Sequence, residues 1–347
     1  MSRDEHLRHM GHALRLARRG LGNVWPNPAV GCVIVQDGRI VGRGWTQPGG
    51  RPHAERMALD QAGPLARGAT AYVTLEPCAH HGRTPPCAGA LASAGIVRVV
   101  SAMTDPDPRV AGRGHRILRD AGIAVTEDLR QDEAREMQAG FLSRIARGRP
   151  FLTLKLAASF DGRIATATGE SRWITGPAAR LHVHAMRLAH DAVMVGGRTA
   201  RADRPALNVR GFATPRQPVR VVLTSGPVPD LPPEGPSLGP LWVMDAPPAE
   251  AMARLTERGI TRVFCEGGGV LAASLLHAGL VDQVIGYTGG LVLGGDGLPA
   301  VGTLSLPRLA DAPRFRLLET RRIGADLFHR WGMAPASQPV TRPAAEP

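Results

Sequence analysis

The sequence predicts an α/β protein in two domains, and three observations carry that expectation. The chain has 347 residues, more than one ordinary hydrophobic core needs and enough for two. Apolar runs of strand length alternate with stretches of helical period along both halves, the pattern of layered α/β folds. Between the halves, Arg147-Gly148-Arg149-Pro150 is a charged stretch punctuated by Gly and Pro, where a boundary fits. The expected division is residues 1–148, residues 149–333, and a Pro/Ala-rich tail over 334–347 with too little apolar content to order.

In the first half, Leu7, Met10, Leu14, Ala17 and Leu21 recur with the period of an amphipathic helix, and Pro26-Asn27-Pro28 breaks it. Residues 30–35 and 39–45 flank Asp37-Gly38, a hairpin signal. A helix opens at His53, a strand runs over 69–75 until Glu76-Pro77 stops it, and a second helix opens at Cys87. A strand over 97–103 and a helix near 132–146 complete an α/β layer of mixed strands. In the second half, residues 151–157, 219–223, 241–244, 262–265 and 283–287 read as strands. Residues 227–240 are Pro-rich and should form an exposed connection. Glu266-Gly267-Gly268-Gly269 joins a strand to a helix over 270–276, and Gly196-Gly197 suits a tight strand-to-helix turn. There is no repeat of 20–50 residues.

Composition narrows the function classes. Apolar residues make up 43% of the chain, no apolar run approaches the roughly 18 residues of a membrane span, and the start lacks a signal-peptide core. A globular, cytoplasmic protein without membrane contact is expected. Four cysteines, Cys32, Cys78, Cys87 and Cys265, make a poor disulfide set for this length, so a reducing compartment is expected. Cys32 and Cys265 read as buried strand residues. The net charge of +12 invites a nucleic-acid reading, but aromatic residues are only 4% of the chain, too few for stacking platforms. The basic residues are also spread along the chain, and a basic protein suits a phosphorylated small molecule equally well.

The chemistry-bearing pattern of the first half is His53-Ala54-Glu55 with Pro77-Cys78 and, nine residues on, Cys87. One His and two Cys make three N/S zinc ligands and leave a fourth tetrahedral position for water, as catalytic zinc requires. Zinc lowers the pKa of that water into the neutral range. Glu55 would not ligate; it would move protons between water, a ring nitrogen and departing ammonia. Nucleobase deaminases combine these parts, with two residues between their cysteines where this chain has eight. The same residues could also be a surface His, a helix-start Glu and two buried thiols. Cys87 at a helix start, where thiolates are favoured, argues for the metal. His80 and His81 read as loop residues, since adjacent histidines cannot easily face one metal.

The second half contributes one compositional oddity. Of the 42 basic residues, Lys155 is the only lysine. Where arginine has taken every other basic position, a surviving lysine suggests a task that a planar, always charged guanidinium cannot perform. Lys155 lies near the end of the predicted 151–157 strand. The Gly run after Glu266 could admit a ligand phosphate at a helix start, or be a plain tight turn.

Together these segments resemble the bifunctional riboflavin-biosynthesis deaminase–reductases. The likeness rests on Pro26-Asn27-Pro28-Ala29-Val30-Gly31-Cys32-Val33, His53-Ala54-Glu55, Thr74-Leu75-Glu76-Pro77-Cys78 with Gly82-Arg83-Thr84-Pro85-Pro86-Cys87, and residues 105–114. Residues 154–163, residues 169–175 and Glu266-Gly267-Gly268 continue it, so that it spans nearly residues 1–333. The resemblance implies a cytidine-deaminase-like α/β/α domain followed by a dihydrofolate-reductase-like α/β domain. It implies zinc-dependent removal of the 2-amino group of 2,5-diamino-6-ribosylamino-4(3H)-pyrimidinone 5′-phosphate, then NADPH-dependent reduction of ribosyl to ribityl. By position, His53, Cys78 and Cys87 would hold zinc, with Glu55 catalytic. Ser171, Arg187, Leu207, Arg210 and Glu266 would hold substrate. Ala157, Trp173, Thr199, Asp203, Ser225, Gly268, Gly269, Val270, Leu271, Ala272, Ala273 and Ser274 would line the NADPH site, and Lys155 and Asp203 would handle the proton. The partner is then a phosphorylated pyrimidine, with a homo-oligomer as the expected assembly.

Three positions depart from the family pattern: Phe160 where Leu is usual, Arg204 where an acid or amide is usual, and Gly290 where Pro is common. Arg204 keeps open a deaminase with an impaired reductase half. The zinc pattern alone would also suit a tRNA adenosine deaminase-like protein, whose RNA surface would be the basic charge. The Glu266-Gly267-Gly268 turn and the lone lysine count against that reading.

Overall fold

Capping chemistry starts the chain. In the computed structural model, which describes residues 2–79, 86–107 and 111–334, Ser2 and Glu5 form a reciprocal capping box. It opens α1 (Arg3–Ala17), whose Met10, Ala13, Leu14 and Ala17 are buried. β1 (Gly31–Gln36) and β2 (Arg39–Trp45) form the expected hairpin. Asp37 and Gly38 both take positive φ, 48° and 74°, as a two-residue type I′ turn requires. Then follow α2 (Ala54–Ala62), β3 (Thr70–Val73), α3 (Cys87–Ser93), β4 (Arg98–Ser101), α4 (Arg113–Asp120), β5 (Ala124–Thr126), α5 (Gln131–Met137) and α6 (Ala139–Arg147). The sheet order is β2-β1-β3-β4-β5. β1 runs antiparallel to both neighbours, while β3, β4 and β5 are parallel.

Glycines in β2 let α2 lie directly on the sheet. A Cβ at Gly44 would stand 2.0 Å from the Ala54 carbonyl oxygen, and one at Gly42 would stand 2.2 Å from that of Ala58. This close approach brings the start of α2, with His53 and Glu55, over the end of the sheet.

The second half is built on an eight-stranded sheet. Its elements are β6 (Phe151–Ser159), β7 (Arg163–Ala165), α7 (Pro177–Leu188), β8 (Ala192–Gly196), α8 (Gly197–Asp203), β9 (Val219–Leu223), β10 (Leu241–Met244), α9 (Pro248–Glu257), β11 (Arg262–Cys265), α10 (Gly269–His277), β12 (Gln283–Gly289), β13 (Leu298–Pro299), β14 (Phe315–Ile323) and β15 (Asp326–Met333). The order is β10-β9-β8-β11-β6-β12-β15-β14, with β7 and β13 paired separately. The first six strands of that order are parallel, and the β14–β15 hairpin adds antiparallel to β12.

The structure differs from the sequence expectation in several places. The helix expected near 132–146 is two helices parted at Gln138, whose buried amide donates to the Ala29 carbonyl at 2.7 Å. α7 and the β14–β15 hairpin were not anticipated. Lys155 stands in the middle of β6, opposite Ile285 of β12. The Pro-rich connection is largely exposed but pinned from beneath. Fully buried Arg220 donates to Pro232 O at 2.7 Å and Gly239 O at 2.8 Å, and Leu231 is buried. His80, His81, most of the Gly82–Pro86 stretch and the tail after residue 334 lie outside the described residues.

Each half has its own core: one cluster draws on residues 10–137, and two others on residues 152–328. Polar contacts join the halves. Asp282, buried after α10, accepts from Arg147 at 2.6 Å, from Arg149 at 2.7 and 2.8 Å, and from the Leu152 amide at 2.8 Å. Arg262 of β11 donates to the carbonyls of Glu136 and Met137 at the end of α5, at 3.1 and 2.6 Å. Trp25 packs against the second half's core, with Arg216 3.9 Å above its ring. Among the described residues no helix is long and apolar enough to cross a membrane.

Candidate active sites

Three elements converge on the first site. His53 is the N-cap of α2 with extended backbone, φ −69° and ψ 160°, so its ring leaves the helix axis, and Glu55 follows in the first turn. Cys78 lies beyond the end of β3, and Cys87 is the first residue of α3. His53 Nδ1 stands 3.6 Å from Cys78 Sγ and 3.3 Å from Cys87 Sγ, and the Cys87 amide donates to Cys78 Sγ at 3.3 Å. All the candidate ligand atoms lie within 4.8 Å of one another. Zn–S bonds of about 2.3 Å and Zn–N bonds of about 2.0 Å imply tetrahedral edges of roughly 3.5 Å, so the set fits zinc.

The electrostatics favour a thiolate at Cys78. The Cys87 hydrogen bond, helped by His53 and opposed by burial, pulls the Cys78 thiol down to about 4. Cys87, sharing that bond, is pushed upward. Glu55 is buried, and desolvation together with the charge at Cys78 raises its carboxyl to about 7. Behind it Cys32 is fully buried, and burial followed by Glu55's charge holds it as a thiol.

The sequence places Glu76 in a strand stop and in the Thr74–Cys78 motif but assigns it no role. Its buried carboxylate accepts from the amides of Asp105, Gly112, Gly114 and His115 at 2.7–3.3 Å. It therefore ties the start of α4 to the segment that delivers Cys78. A charged residue at a strand end beside Pro77-Cys78 was the available signal.

The second site is a cavity of about 1680 Å³ at the carboxyl ends of the parallel strands, where open α/β sheets bind ligands. Lys155 and Ala157 of β6 line it, with Gly196, Ser225, Asp245 and Glu266 from the ends of β8, β9, β10 and β11. Arg187 of α7 grips Glu266 at 2.5 and 3.0 Å, and Lys155 Nζ is 3.9 Å from the same carboxylate. Burial pushes Glu266 up, yet Arg187 and then Lys155 bring it down to about 2. Burial lowers the pKa of the Lys155 ammonium, Glu266 opposes that, and Arg187 adds to the lowering.

α7 also shapes the substrate side. Arg187 donates to Asn208 O at 2.7 Å, and His184 Nδ1 receives the Arg210 amide at 3.2 Å. These bonds hold Leu207, at φ 52°, and Arg210 against the cavity. Neither His184 nor Asn208 had been singled out.

Every expected substrate residue lines this cavity, as do Lys155 and every expected cofactor residue except two. Ala272 and Ala273 are buried in α10, facing away from the cavity. Successive helical residues turn by about 100°, so a contiguous stretch cannot present all its side chains to one ligand. Val270 and Ser274, four residues apart, do face the cavity. The Glu266-Gly267-Gly268 turn needs its glycines. Gly267 and Gly268 take φ of 84° and 52°, and a Cβ on Gly268 would meet Thr199 Oγ1 at 2.6 Å.

Comparison with known proteins covers both sites. Residues 3–103 match the cytidine and deoxycytidylate deaminase zinc-binding region, and residues 150–329 match the RibD C-terminal domain. The riboflavin biosynthesis protein RibD of Haemophilus influenzae is 44% identical over 355 aligned residues, covering 92% of this chain and 95% of that protein. The chain belongs to the RibD family. RibD of Escherichia coli is 43% identical, with 92% and 97% of the two chains covered. Among solved structures, Acinetobacter baumannii RibD superposes with a TM-score of 0.85 at 37% identity, covering 96% of this chain and 99% of the other. The Thermotoga maritima diaminohydroxyphosphoribosylaminopyrimidine deaminase/5-amino-6-(5-phosphoribosylamino)uracil reductase gives 0.85 at 34% identity, covering 95% and 99%. Like other RibD proteins, this chain is a bifunctional enzyme of riboflavin biosynthesis, with zinc serving its deaminase half and NADPH its reductase half. A tRNA adenosine deaminase would leave the second half unexplained.

Proposed function

We propose that this RibD protein deaminates 2,5-diamino-6-ribosylamino-4(3H)-pyrimidinone 5′-phosphate at the first site and reduces the product's ribosyl group to ribityl at the second. The observation that carries the reading is the convergence of His53, Cys78 and Cys87 beside buried Glu55, on the same chain as the Lys155–Glu266–Arg187 cluster.

His53, Cys78 and Cys87 would hold zinc, which when bound would make a water nucleophilic at neutral pH. Glu55, with its carboxyl raised to about 7, takes a proton from the attacking water. It returns protons to the ring nitrogen and to the amine, which leaves as ammonia. Both atoms and charge balance, since water enters and ammonia departs.

At the second site the cavity between Thr199, Ser225 and the Gly268–Gly269 turn would hold NADPH, which when bound would supply the hydride for ribose C1′. As the C1′–O4′ bond breaks, O4′ needs a proton, and the Lys155 ammonium is placed to give it. Glu266, itself fixed by Arg187, holds that ammonium at the cavity wall. Asp203 is exposed at the end of α8, which suits contact with the cofactor better than proton transfer. Arg204 supports a competent reductase, since its guanidinium is engaged by Asp230 on the Pro-rich connection. A side chain at Gly290 would meet nothing within 4 Å, and Phe160 points outward, so neither departure disturbs the cavity.

The division into units at residues 148/149 accompanies this reading, as do a cytoplasmic location suited to the zinc thiolates and a homo-oligomeric assembly. Ammonia release and NADPH oxidation, measured with the purified pyrimidine phosphate, test the function. Ammonia without NADPH oxidation would leave only the deaminase half standing.

A further inference from the structure

The cofactor side of the second cavity carries an arginine without a carboxylate partner. Arg201, the fifth residue of α8, donates through Nη1 to Pro227 O at 2.9 Å and to Thr224 Oγ1 at 3.4 Å. Those two bonds lay its guanidinium over the Thr224-Ser225-Gly226 turn at the end of β9, and both Arg201 and Ser225 line the cavity. A Cβ on Gly226 would find Arg201 Nη1 and Nη2 at 3.8 Å each, so the whole guanidinium fork lies along this turn. Among the described residues no acid forms an ion pair with it, whereas Arg204, Arg187 and Arg254 each have one. Nη1 is occupied, which leaves the N–H groups of Nη2 and Nε for a ligand.

We propose that Arg201 selects the phosphorylated dinucleotide by binding the phosphate on its adenosine ribose. The proposal rests on the reductase reading of this cavity. NADPH and NADH differ only by that dianion, so discrimination between them needs a cation at one end of the site. The Lys155–Arg187 end is already committed to Glu266. At the other end, Arg201 presents free donors beside the Ser225 hydroxyl, and a planar guanidinium matches phosphate geometry. The opposing group is Asp245, which lines the same end from β10. Its carboxylate repels the dianion and would accept from the free 2′-hydroxyl of NADH. Arg201 must therefore outweigh it.

Calorimetric binding of NADPH, NADH, 2′,5′-ADP and 5′-AMP to the full chain, and to Arg201→Ala and Arg201→Lys, tests this. Removing a charge-assisted contact should weaken NADPH and 2′,5′-ADP by about 10- to 100-fold, with NADH and 5′-AMP unchanged. Arg201→Lys should recover part of the loss. The parent's preference for NADPH should also shrink as salt rises, because the pair is exposed. Equal weakening of both dinucleotides in Arg201→Ala would make Arg201 only an anchor for the Pro227 segment, and would overturn the proposal. So would an unchanged preference. A parent that binds NADPH and NADH equally refutes the selectivity alone, whereas a parent that binds neither refutes the reductase reading with it.

Discussion

At the scale of single residues, the chemistry was legible because it uses residue types that have few other reasons to sit together. His53, Cys78 and Cys87 were identifiable from type and spacing, and Lys155 from being the one lysine among 42 basic residues. Glu76 was not, because an acid at the end of a strand reads as a solvated stop unless its backbone partners are known. Glu55→Gln keeps the shape of the first site but removes its proton carrier, so ammonia release should fall at least ~10²-fold. Zinc content, read by elemental analysis, should stay near one equivalent per chain. Normal ammonia release from that variant would mean another group carries the proton.

Glu266 offers a pH test with a definite sign. In the proposed mechanism Lys155 must be protonated to give its proton, so reduction would be lost as pH rises through the lysine's pKa. Burial lowers that pKa, Glu266 raises it and Arg187 lowers it further. Glu266→Gln removes the raising influence alone. The alkaline limb of the NADPH-oxidation profile, measured with deaminated substrate, should therefore move to lower pH. Because Glu266 also faces substrate, the position of the limb is the readout and its height is not. A limb that stays in place would assign it to a group other than Lys155.

At the scale of elements, local pattern served well where turn chemistry or a sharp apolar run marks the boundary, as at Asp37-Gly38 and in β9, β10 and β11. It failed for the β14–β15 hairpin. Phe315–Ile323 carries four charged residues and is half-exposed along its length, so its strand character comes from pairing with β15 and not from burial. A run of sequence also does not say which face of a helix a residue takes: α10 turns Ala272 and Ala273 away from the cavity. The contact of β2 with α2 was illegible for another reason: Gly42 and Gly44 matter for what is missing from them. Gly44→Ala would place a methyl 2.0 Å from the Ala54 carbonyl oxygen and 2.7 Å from the Ala58 amide. Backbone must then move, at a cost on the scale of core overpacking, about 1–3 kcal/mol. The displaced element carries His53 at its cap. The variant should melt at lower temperature and retain less zinc, while NADPH oxidation by its second half is affected far less. Full zinc retention with a lowered melting temperature would show that α2 adjusts without moving its first residue.

At the scale of the whole molecule, the two halves do separate chemistry on separate cores. The zinc ligands all precede residue 88 and the reductase cavity draws only on residues after 154. Stripping zinc with a chelator should therefore abolish ammonia release while reduction of already deaminated substrate continues, with recovery of the first activity when zinc is returned. Parallel loss of both would mean the metal also holds the second half together.

Independent chemistry does not make the reductase half detachable. β11 is four residues long, so about 10 Å at the usual strand rise separates its first residue from its last. At one end Arg262 gives its guanidinium protons to two carbonyls that close α5; at the other, Cys265 leads straight into Glu266. The strand works as a short stiff spoke, with its hub in the active site and its rim seated in the neighbouring half. If the chain were cut after Arg147, the rim would lose its seat and Arg262 would face water with its two carbonyl acceptors gone. The isolated piece should melt earlier than the same residues do within the intact chain, and amide exchange should rise first at the Arg262 end of β11.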